Sequence, residues 1–288
     1  MSTVPLPRRI LVTGATGTLG RHVVAALARR PDIICRALSR RPPLARSGPL
    51  VEWASVDLRS DPLARPVEDV DAVIHLASGK GGGDDDVRAT GRLLEAARAG
   101  GVRHVVVISI IGCDRIPLPF YASKLGIEAV VEAAGVPWSI VRVAQFHSFV
   151  ARLISTPAAL PVPSPIVTDL RFQPIDEVEA AAFLVDVALG PPLGRAPELA
   201  GPETLTLGRI AAFWFAAAGR PSTLLPVPLA AIARVPAAEL ATPAWTLDVL
   251  SGYEAGWNTP QGDRRLGSVT FAEWLRRAGE PDPEPSGI

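Results

Sequence analysis

Apolar runs rich in valine and isoleucine alternate with longer amphipathic stretches along the first half of the chain. Runs without polar alternation predict strands that are covered on both faces of a sheet. The stretches between them carry apolar residues at helical spacing, as Leu19, Val23, Val24 and Leu27 do. The predicted strands lie at residues 9–13, 33–38, 51–56, 72–76, 102–108 and 138–143, and the main helices between them at residues 18–30, 87–99 and 121–134.

This alternation predicts an α/β fold, a doubly wound parallel sheet with helices on both faces. The second half of the chain is less regular, and Pro157 to Pro165 is rich in proline, which predicts a loop. Helical spacing returns at residues 176–189, 207–218 and 271–275. The tail from Gly279 to Ile288 is predicted to fray.

Composition narrows the class of protein. Of 288 residues, 48% are hydrophobic and 20% charged, which is typical of a globular domain. The 29 basic and 29 acidic residues balance, so we expect no nucleic-acid partner and no anionic membrane surface as a partner. No apolar run approaches the ~20 residues of a membrane span, and Met1 to Arg9 lacks the apolar region of a signal peptide. A cytoplasmic protein is therefore expected, without a metal site, because Cys35 and Cys113 lack metal-ligand spacing.

A glycine-rich turn follows the first predicted strand and opens the first helix. The segment from Thr13 to Gly20 has the pattern G-x-x-G-x-x-G. In this context Gly14 permits the tight turn, Gly17 lets a pyrophosphate approach the backbone, and Gly20 lets helix and sheet pack closely. The turn predicts a dinucleotide-binding site. Its predicted contact residues are Gly14, Thr16, Gly17, Thr18, Leu19 and Gly20.

The end of the second strand bears on which dinucleotide is bound. NAD-specific sites carry an acidic residue about 20 residues after the glycines, which holds the ribose 2′-hydroxyl. Ser39, Arg40 and Arg41 occupy that place here. Arginine can bind a 2′-phosphate with charge-assisted hydrogen bonds, so we predict that NADP(H) is preferred over NAD(H). The alternative is that both arginines are solvated loop residues.

Two further strand ends contribute candidate contacts. Asp57 and Leu58 follow the third strand and are placed to contact the adenine, although Asp57 could instead be a capping residue. The fourth strand ends at His75 and is followed by Ala77 and Ser78, whose small size would let the cofactor ribose lie against the backbone. His75 itself is interpreted as a strand residue rather than a catalytic base.

These motifs together resemble the short-chain dehydrogenase/reductase superfamily, and more closely its atypical branch of NmrA-like and NAD(P)H-quinone-reductase-like proteins. The resemblance rests on T-G-A-T-G-T-L-G at Thr13, H-L-A-S at His75 and F-Y-A-S-K at Phe120, and also on F-Q-P-I-D-E-V at Phe172 and A-G-P-E-T-L-T at Ala200. It implies an NAD(P)-binding Rossmann core at residues 1–150. It further implies a smaller C-terminal substrate-binding part at residues 151–288, partly packed back onto the core. Relatives of this kind are monomers or homodimers.

The resemblance also implies a Ser-Tyr-Lys set for general acid–base catalysis. Lys124 matches the lysine, which bonds the nicotinamide ribose, and Ser109 at the end of the fifth strand is a candidate for the serine. The tyrosine position, four residues before Lys124, is occupied by Phe120, which cannot donate a proton. Tyr121 is a possible substitute, but it is rotated about 100° from Phe120 around the helix, which favours a packing role. Phe146, just after the sixth strand, lies near the expected nicotinamide position, with Gln145 and His147 beside it.

Loss of the proton donor narrows the expected chemistry. The leading hypothesis is an NADPH-dependent oxidoreductase acting on a small conjugated or quinone-like substrate, because conjugation stabilises the developing oxyanion. A non-catalytic NAD(P)-sensing regulator of the NmrA type is the first alternative. A redox-neutral biosynthetic enzyme, such as an epimerase or cyclase on the same fold, is the second.

Overall fold

The computed structural model describes residues 8–43, 48–79, 82–160, 163–232 and 246–278. The strands are β1 (Arg8–Thr13), β2 (Ile33–Ser39), β3 (Val51–Ser55), β4 (Ala72–His75), β5 (His104–Ile110), β6 (Trp138–Val143), β7 (Ser164–Val167), β8 (Arg171–Phe172), β9 (Gly194–Arg195), β10 (Glu198–Ala200), β11 (Leu205–Thr206), β12 (Leu224–Val227) and β13 (Arg264–Leu266). The helices are α1 (Gly20–Ala28), α2 (Ala64–Val67), α3 (Asp84–Ala99), α4 (Pro119–Ala133), α5 (His147–Ala158), α6 (Glu177–Leu189), α7 (Leu207–Ala217), α8 (Leu229–Ile232), α9 (Leu247–Glu254) and α10 (Phe271–Ala278).

The chain forms two compact units, and each is built from several segments. The first unit comprises residues 1–109, 122–141 and 177–196, and the second comprises residues 110–121, 142–176 and 197–288. This division is not a single cut at residue 150. Helix α6 belongs to the first unit, whereas the segment that follows β5 belongs to the second.

The first unit is organised around a sheet in the order β3-β2-β1-β4-β5-β6, with β9 paired to β6. The pairs β3–β2, β2–β1, β1–β4, β4–β5 and β6–β9 are parallel. This order is that of the doubly wound dinucleotide-binding fold, whose ligands bind at the carboxyl ends of the strands. The structure therefore confirms the fold class that the alternation of apolar runs predicts.

Helices cover the sheet of the first unit because its strands are apolar on both sides. On one face, Leu11, Val73 and Val107 pack with Leu93 of α3 and Ile127 of α4 in one buried cluster. Helices α1 and α6 pack against each other, and α6 also contacts β4. The six predicted strands appear with ends shifted by at most two residues, since continuous apolar runs specify strands locally.

The second unit has its own core. Its buried cluster includes Tyr121, Phe172, Trp214, Tyr253 and Phe271. Short strands pair around it, β7 with β12 in parallel and β8 with β11 antiparallel, while β10 pairs in parallel with β13. Helix α5 was not predicted from the sequence, because proline signals a loop. Pro157 instead lies in the last turn of that helix, and strand β7 begins within the predicted loop.

One sequence expectation falls outside the described residues. The predicted frayed tail from Gly279 onward lies outside them, as do Lys80 and Gly81 in the glycine-rich stretch before α3. In the parts of the chain that are described, no helix has the length and apolar character needed to cross a lipid bilayer.

Candidate functional site

The glycine turn between β1 and α1 has no room for side chains at two of its three glycines. Gly14 adopts φ +64°, and a Cβ there would lie 2.8 Å from the backbone nitrogen of Ala77. A Cβ on Gly20 would lie 2.1 Å from the carbonyl oxygen of Gly14. At Gly17 a Cβ would lie 3.2 Å from the carbonyl oxygen of Gly14, a tight contact but a far less severe one. Gly14 and Gly20 therefore shape the turn, and Gly17 leaves its outer surface open.

The outer surface of this turn suits an anion. Thr16, Gly17 and Thr18 are exposed, whereas the flanking Ala15 and Leu19 are buried. Helix α1 has no acidic residue in its first turn and no side-chain cap. The first N–H groups of a helix lack internal partners and lie at the positive end of its dipole. The residues present thus fit the pyrophosphate of a dinucleotide, as the sequence pattern predicts.

The end of β2 lies against the same turn. The hydroxyl oxygens of Ser39 and Thr16 are 2.9 Å apart and share a hydrogen bond. Ser39 also accepts a hydrogen bond from the backbone N–H of Arg41 at 3.1 Å. Arg40 and Arg41 are exposed, and among the described residues neither guanidinium has an ion pair or a hydrogen bond. The structure therefore brings the glycine turn and the Ser39-Arg40-Arg41 segment together at the carboxyl edge.

Asp57, at the end of β3, is engaged by a neighbouring arginine. Its Oδ1 accepts hydrogen bonds from Arg59 Nε at 3.1 Å and from the backbone N–H of Arg59 at 3.0 Å, and its Oδ2 accepts from Nη2 at 3.0 Å. These hydrogen bonds lower the pKa of Asp57 to about 2, and the charge of Arg40 contributes further. Asp57 is thus a carboxylate that lies next to Arg40 and is bound by Arg59.

The loop after β3 is attached to helix α3. The guanidinium of Arg92 donates to the carbonyl of Leu58 at 2.6 Å and to that of Asp61 at 2.8 Å, with Ser60 at 3.5 Å. The Asp61 carboxylate in turn accepts from the backbone N–H of Asp57 at 2.8 Å. Leu58, a predicted adenine contact, is buried in this loop. Sequence reasoning missed Arg92, because its partners lie more than 30 residues away in the chain.

His75 forms a buried hydrogen-bond chain across the strand ends. Thr13 Oγ1 accepts from the backbone N–H groups of Leu76 and Ala77, so its own proton goes to His75 Nδ1 at 2.7 Å. Thr90 Oγ1 donates to the carbonyl of Asp86, so it accepts from His75 Nε2 at 2.9 Å. The ring is therefore neutral, with its proton on Nε2.

Burial, and to a smaller extent the charge of Lys124, lower the pKa of His75 to about 3. A histidine that stays neutral and has both ring nitrogens engaged is poorly suited to act as a general base. This agrees with its interpretation as a strand residue. Through Thr13, which accepts from the N–H of Ala77, this hydrogen-bond chain connects the end of β1 to the loop that carries Ala77.

The loop after β4 is closed by an aspartate from α3. Asp86 accepts from the Ser78 hydroxyl at 3.0 Å and from the backbone N–H of Gly79 at 2.8 Å and 2.9 Å. The side chain of Ser78, a predicted cofactor contact, is thus hydrogen-bonded to Asp86. The backbone of Ala77 lies against Gly14. Both residues remain predictions as cofactor contacts.

Lys124 and Ser109 occupy buried positions in the first unit. Lys124 is 6% exposed and lies on α4, close enough to His75 to influence its pKa. The hydroxyl of Ser109, at the end of β5, donates to the buried carboxylate of Glu128 at 2.5 Å. Arg195 binds the other oxygen of that carboxylate at 3.0 Å. The Ser109 hydroxyl proton is therefore held by Glu128, a partner that the sequence did not indicate.

The remaining candidates belong to the second unit. Tyr121 is buried, and its hydroxyl lies 2.7 Å from that of Tyr253 and accepts from Gln145 Nε2 at 2.9 Å. Phe146 is half-buried, precedes α5, and forms an isolated parallel β-bridge with Ile175. Tyr121 therefore packs in the buried cluster of the second unit, the role that its angular offset from Phe120 around the helix favours.

His147, which follows Phe146 in the sequence, is fully buried in the same unit. Its Nε2 donates to the carbonyl of Val269 at 3.1 Å. Its ring packs against Phe271 and Trp274, with centroid distances of 5.6 Å and 5.8 Å. Through these contacts His147 has a structural role and connects α5 to α10.

The sequence is similar to those of known NAD(P)H-binding proteins and reductases. A family profile described as NAD(P)H-binding matches residues 14–152. The (4-alkanoyl-5-oxo-2,5-dihydrofuran-3-yl)methyl phosphate reductase of Streptomyces griseus is 32% identical over 219 residues, which cover 74% of each chain. The chloroplastic divinyl chlorophyllide a 8-vinyl-reductase of Oryza sativa is 31% identical over 213 residues, 64% of this chain and 52% of the rice protein.

Solved structures share the fold at lower identity. An NAD-dependent NDP-hexosamine 5,6-dehydratase superposes with a TM-score of 0.70 at 20% identity, covering 95% of this chain and 97% of the other. UDP-glucuronic acid 4-epimerase from Bacillus cereus, in complex with UDP-glucuronic acid and NAD, gives 0.67 at 19% identity and covers 96% and 98%. At such identities the likeness concerns the fold alone.

Proposed function

The chain belongs to the NAD(P)H-binding family of atypical short-chain dehydrogenases/reductases, and from that premise we propose that it is an NADPH-dependent reductase of small conjugated or quinone-like substrates. The proposal goes beyond the family in two respects, the identity of the cofactor and the class of substrate.

One observation carries the substrate class. Phe120 stands four residues before Lys124 on α4, where a proton-donating tyrosine would be expected. The neighbouring Tyr121 has its hydroxyl bound to Tyr253 and Gln145 within the second unit. Neither side chain of this stretch is therefore arranged to protonate a nascent alkoxide. A saturated ketone needs such a donor more than a conjugated acceptor does.

A conjugated substrate can be reduced without that donor. The bound cofactor would supply a hydride, which adds to the carbon beta to a carbonyl group. The electron pair of the double bond then moves to the carbonyl oxygen as a delocalised enolate. A proton from water adds at the alpha carbon and restores the carbonyl, so the substrate gains two electrons and two hydrogens.

The protein's own residues would bind and orient in this scheme. The glycine turn would hold the pyrophosphate, and Lys124 would contact the nicotinamide ribose. Arg40 and Arg41 would bind a 2′-phosphate, which supports NADPH over NADH. Ser109, whose hydroxyl donates to Glu128, would act as a polar group held in place and would not donate its proton to the substrate.

The names of two relatives support this class of substrate. Both are named as reductases, and both names describe carbon–carbon unsaturation, a dihydrofuran that carries an alkanoyl and an oxo group in one case and a vinyl group in the other. These activities belong to those proteins. For this chain they favour reduction of an activated double bond.

The test uses the full chain with NADPH and pairs of substrates matched in size. Each pair compares an unsaturated lactone with its saturated lactone, or an enone with its saturated ketone, and a set of quinones is added. Loss of nicotinamide absorbance is expected with the unsaturated compounds and quinones, and not with the saturated ketones. Lys124→Met is expected to weaken NADPH binding and lower turnover with every substrate.

Two results would contradict the proposal. Efficient reduction of the saturated ketones would mean that another proton donor is present. Tight NADPH binding with no turnover across the panel would instead favour a cofactor-sensing protein.

A further inference from the structure

We propose that Arg59 is a specificity-determining residue: by binding the carboxylate of Asp57, it leaves Arg40 available for the 2′-phosphate of NADPH. This inference rests on the proposed preference for NADPH. Arg59 itself would act through its neighbours and would not touch the cofactor.

The arrangement starts from two adjacent strand ends. Ser39 and Ser55 are paired in the parallel β2–β3 ladder, and Val56 donates its N–H to the carbonyl of Ser39 at 3.1 Å. The Ser55 hydroxyl donates to the carbonyl of Arg40 at 3.3 Å. The cation Arg40 therefore stands one residue beyond the end of β2, and the anion Asp57 stands two residues beyond the end of β3.

Two neighbouring opposite charges would normally pair. The positive charge of Arg40 contributes to the lowered pKa of Asp57, so the two side chains influence each other. Within the described chain, however, no ion pair joins them, because Asp57 is bound by Arg59 through both carboxylate oxygens. Without the Arg59 side chain, the Asp57 carboxylate would be open to pair with Arg40.

The alternative pairing would compete with cofactor binding. A 2′-phosphate and the Asp57 carboxylate both offer oxygens to the same guanidinium fork, and Arg40 cannot satisfy both fully. An unneutralised carboxylate would also repel the phosphate. Binding of NADH would be unaffected by this competition, because its ribose carries a hydroxyl at that position.

The loop that carries Asp57 has supports that do not depend on the Arg59 side chain. Asp61 accepts from the Asp57 backbone N–H, and Arg92 binds the carbonyls of Leu58 and Asp61. Changing Arg59 should therefore remove both side-chain hydrogen bonds from the Asp57 carboxylate without unfolding the loop, and only the backbone N–H of residue 59 stays bonded to Oδ1. This makes the inference accessible to substitution.

The experiment measures equilibrium dissociation constants of NADPH and NADH by the fluorescence of the bound nicotinamide. Arg59→Gln is expected to lower the preference for NADPH about three- to fivefold, as befits a half-exposed ion pair. Adding Asp57→Asn is expected to restore the preference. In a background of Arg40→Gln, Arg59→Gln should cause no further change. The matched control is Arg103→Gln, which breaks an exposed ion pair with Asp71 in the same unit.

The outcomes separate this inference from the function proposed above. Equal affinity of the unaltered protein for both cofactors would contradict the NADPH preference and this inference together. A preference for NADPH that survives Arg59→Gln would overturn only the role of Arg59. The role of Arg59 would also be overturned if Arg59→Gln lowered the NADPH preference equally with and without Arg40. A change in the local electrostatic potential, independent of Arg40, would then explain the loss. The NADH constants check that each variant still folds and binds.

Discussion

The hydroxyl oxygens of Tyr121 and Tyr253 lie 2.7 Å apart in the interior of the second unit. Burial raises the pKa of Tyr121 to about 12 and that of Tyr253 well above its ordinary value. Gln145 donates to Tyr121, and Asn258 Nδ2 donates to Gln145 Oε1 at 3.0 Å. Four buried polar side chains thus form one chain inside an apolar core, where each depends on its neighbours.

The first prediction is that Tyr121→Phe reduces stability more than activity. Removing the hydroxyl leaves buried polar groups of Gln145 and Tyr253 with one partner fewer, which should lower the free energy of unfolding by about 1–3 kcal/mol. Denaturant unfolding measures the loss, and kcat with an unsaturated substrate is expected to change little. Tyr253→Phe should cost a similar amount, and the two losses should be less than additive because they share a hydrogen bond. A collapse of kcat in folded Tyr121→Phe would instead make Tyr121 the proton donor.

The second prediction concerns the missing donor. Phe120→Tyr would place a hydroxyl one helical turn before Lys124 on α4. We expect this variant to gain reduction of saturated aldehydes and ketones, with about 10²-fold as the scale that a positioned acid contributes. Turnover of the matched saturated substrates with NADPH measures the gain. Lys124→Met in the same background should abolish it, and a gain that survives Lys124→Met would argue against a tyrosine–lysine pair.

The third prediction separates two glycines of the turn. Gly17→Ala should cost little stability, because its Cβ would lie 3.2 Å from the carbonyl oxygen of Gly14, a tight contact that a shift of a few tenths of an ångström relieves. It should nevertheless weaken NADPH binding by about tenfold or more by blocking close approach of the pyrophosphate. Gly20→Ala should instead lower stability by about 2 kcal/mol or more, because its Cβ would lie 2.1 Å from a backbone oxygen. Calorimetric titration and thermal unfolding give the two quantities.

A helix glycine provides the control for that pair. Gly91 lies within α3, and a Cβ there would meet nothing within 4 Å. Gly91→Ala should raise stability by about 0.5–1 kcal/mol and leave cofactor binding unchanged. Equal binding by Gly17→Ala and Gly91→Ala would remove the assigned role of Gly17.

The fourth prediction is a pH dependence set by His75. Its pKa is about 3 in the folded protein, whereas an unfolded histidine titrates near 6.5. Below about pH 6.5 the unfolded chain binds a proton that the folded protein does not, so stability falls as the pH drops toward 3, by up to about 1.4 kcal/mol per pH unit. Unfolding curves at several pH values should show this slope, and His75→Gln should flatten it. Parallel pH profiles for the two proteins would show that His75 does not carry the effect.

Some of this molecule follows from local sequence and some does not. The strands of the first unit are continuous apolar runs, and the glycine turn has a local pattern, so both could be predicted. Helix α5 was missed because its last turn contains Pro157, which sequence rules assign to loops.

The polar partners in the site depend on contacts between distant segments. Thr90 is 15 residues from His75, Glu128 is 19 from Ser109, and Tyr253 is 132 from Tyr121. No pattern in a single sequence relates such positions. Only the order of strands in the sheet and the packing of helices bring them together. The division into interleaved units follows from the same long-range pairing.

Helix α3 is attached to two loops and one strand end at the carboxyl edge of the first unit. Asp86 holds the loop at Ser78, Thr90 contacts His75, and Arg92 binds the loop at Leu58. Because each residue of a helix turns the next by about 100°, inserting one residue between Asp86 and Arg92 would aim the two side chains in different directions. Homologous chains that keep all three attachments should therefore tolerate length changes in the glycine-rich segment before α3, and not within its first two turns.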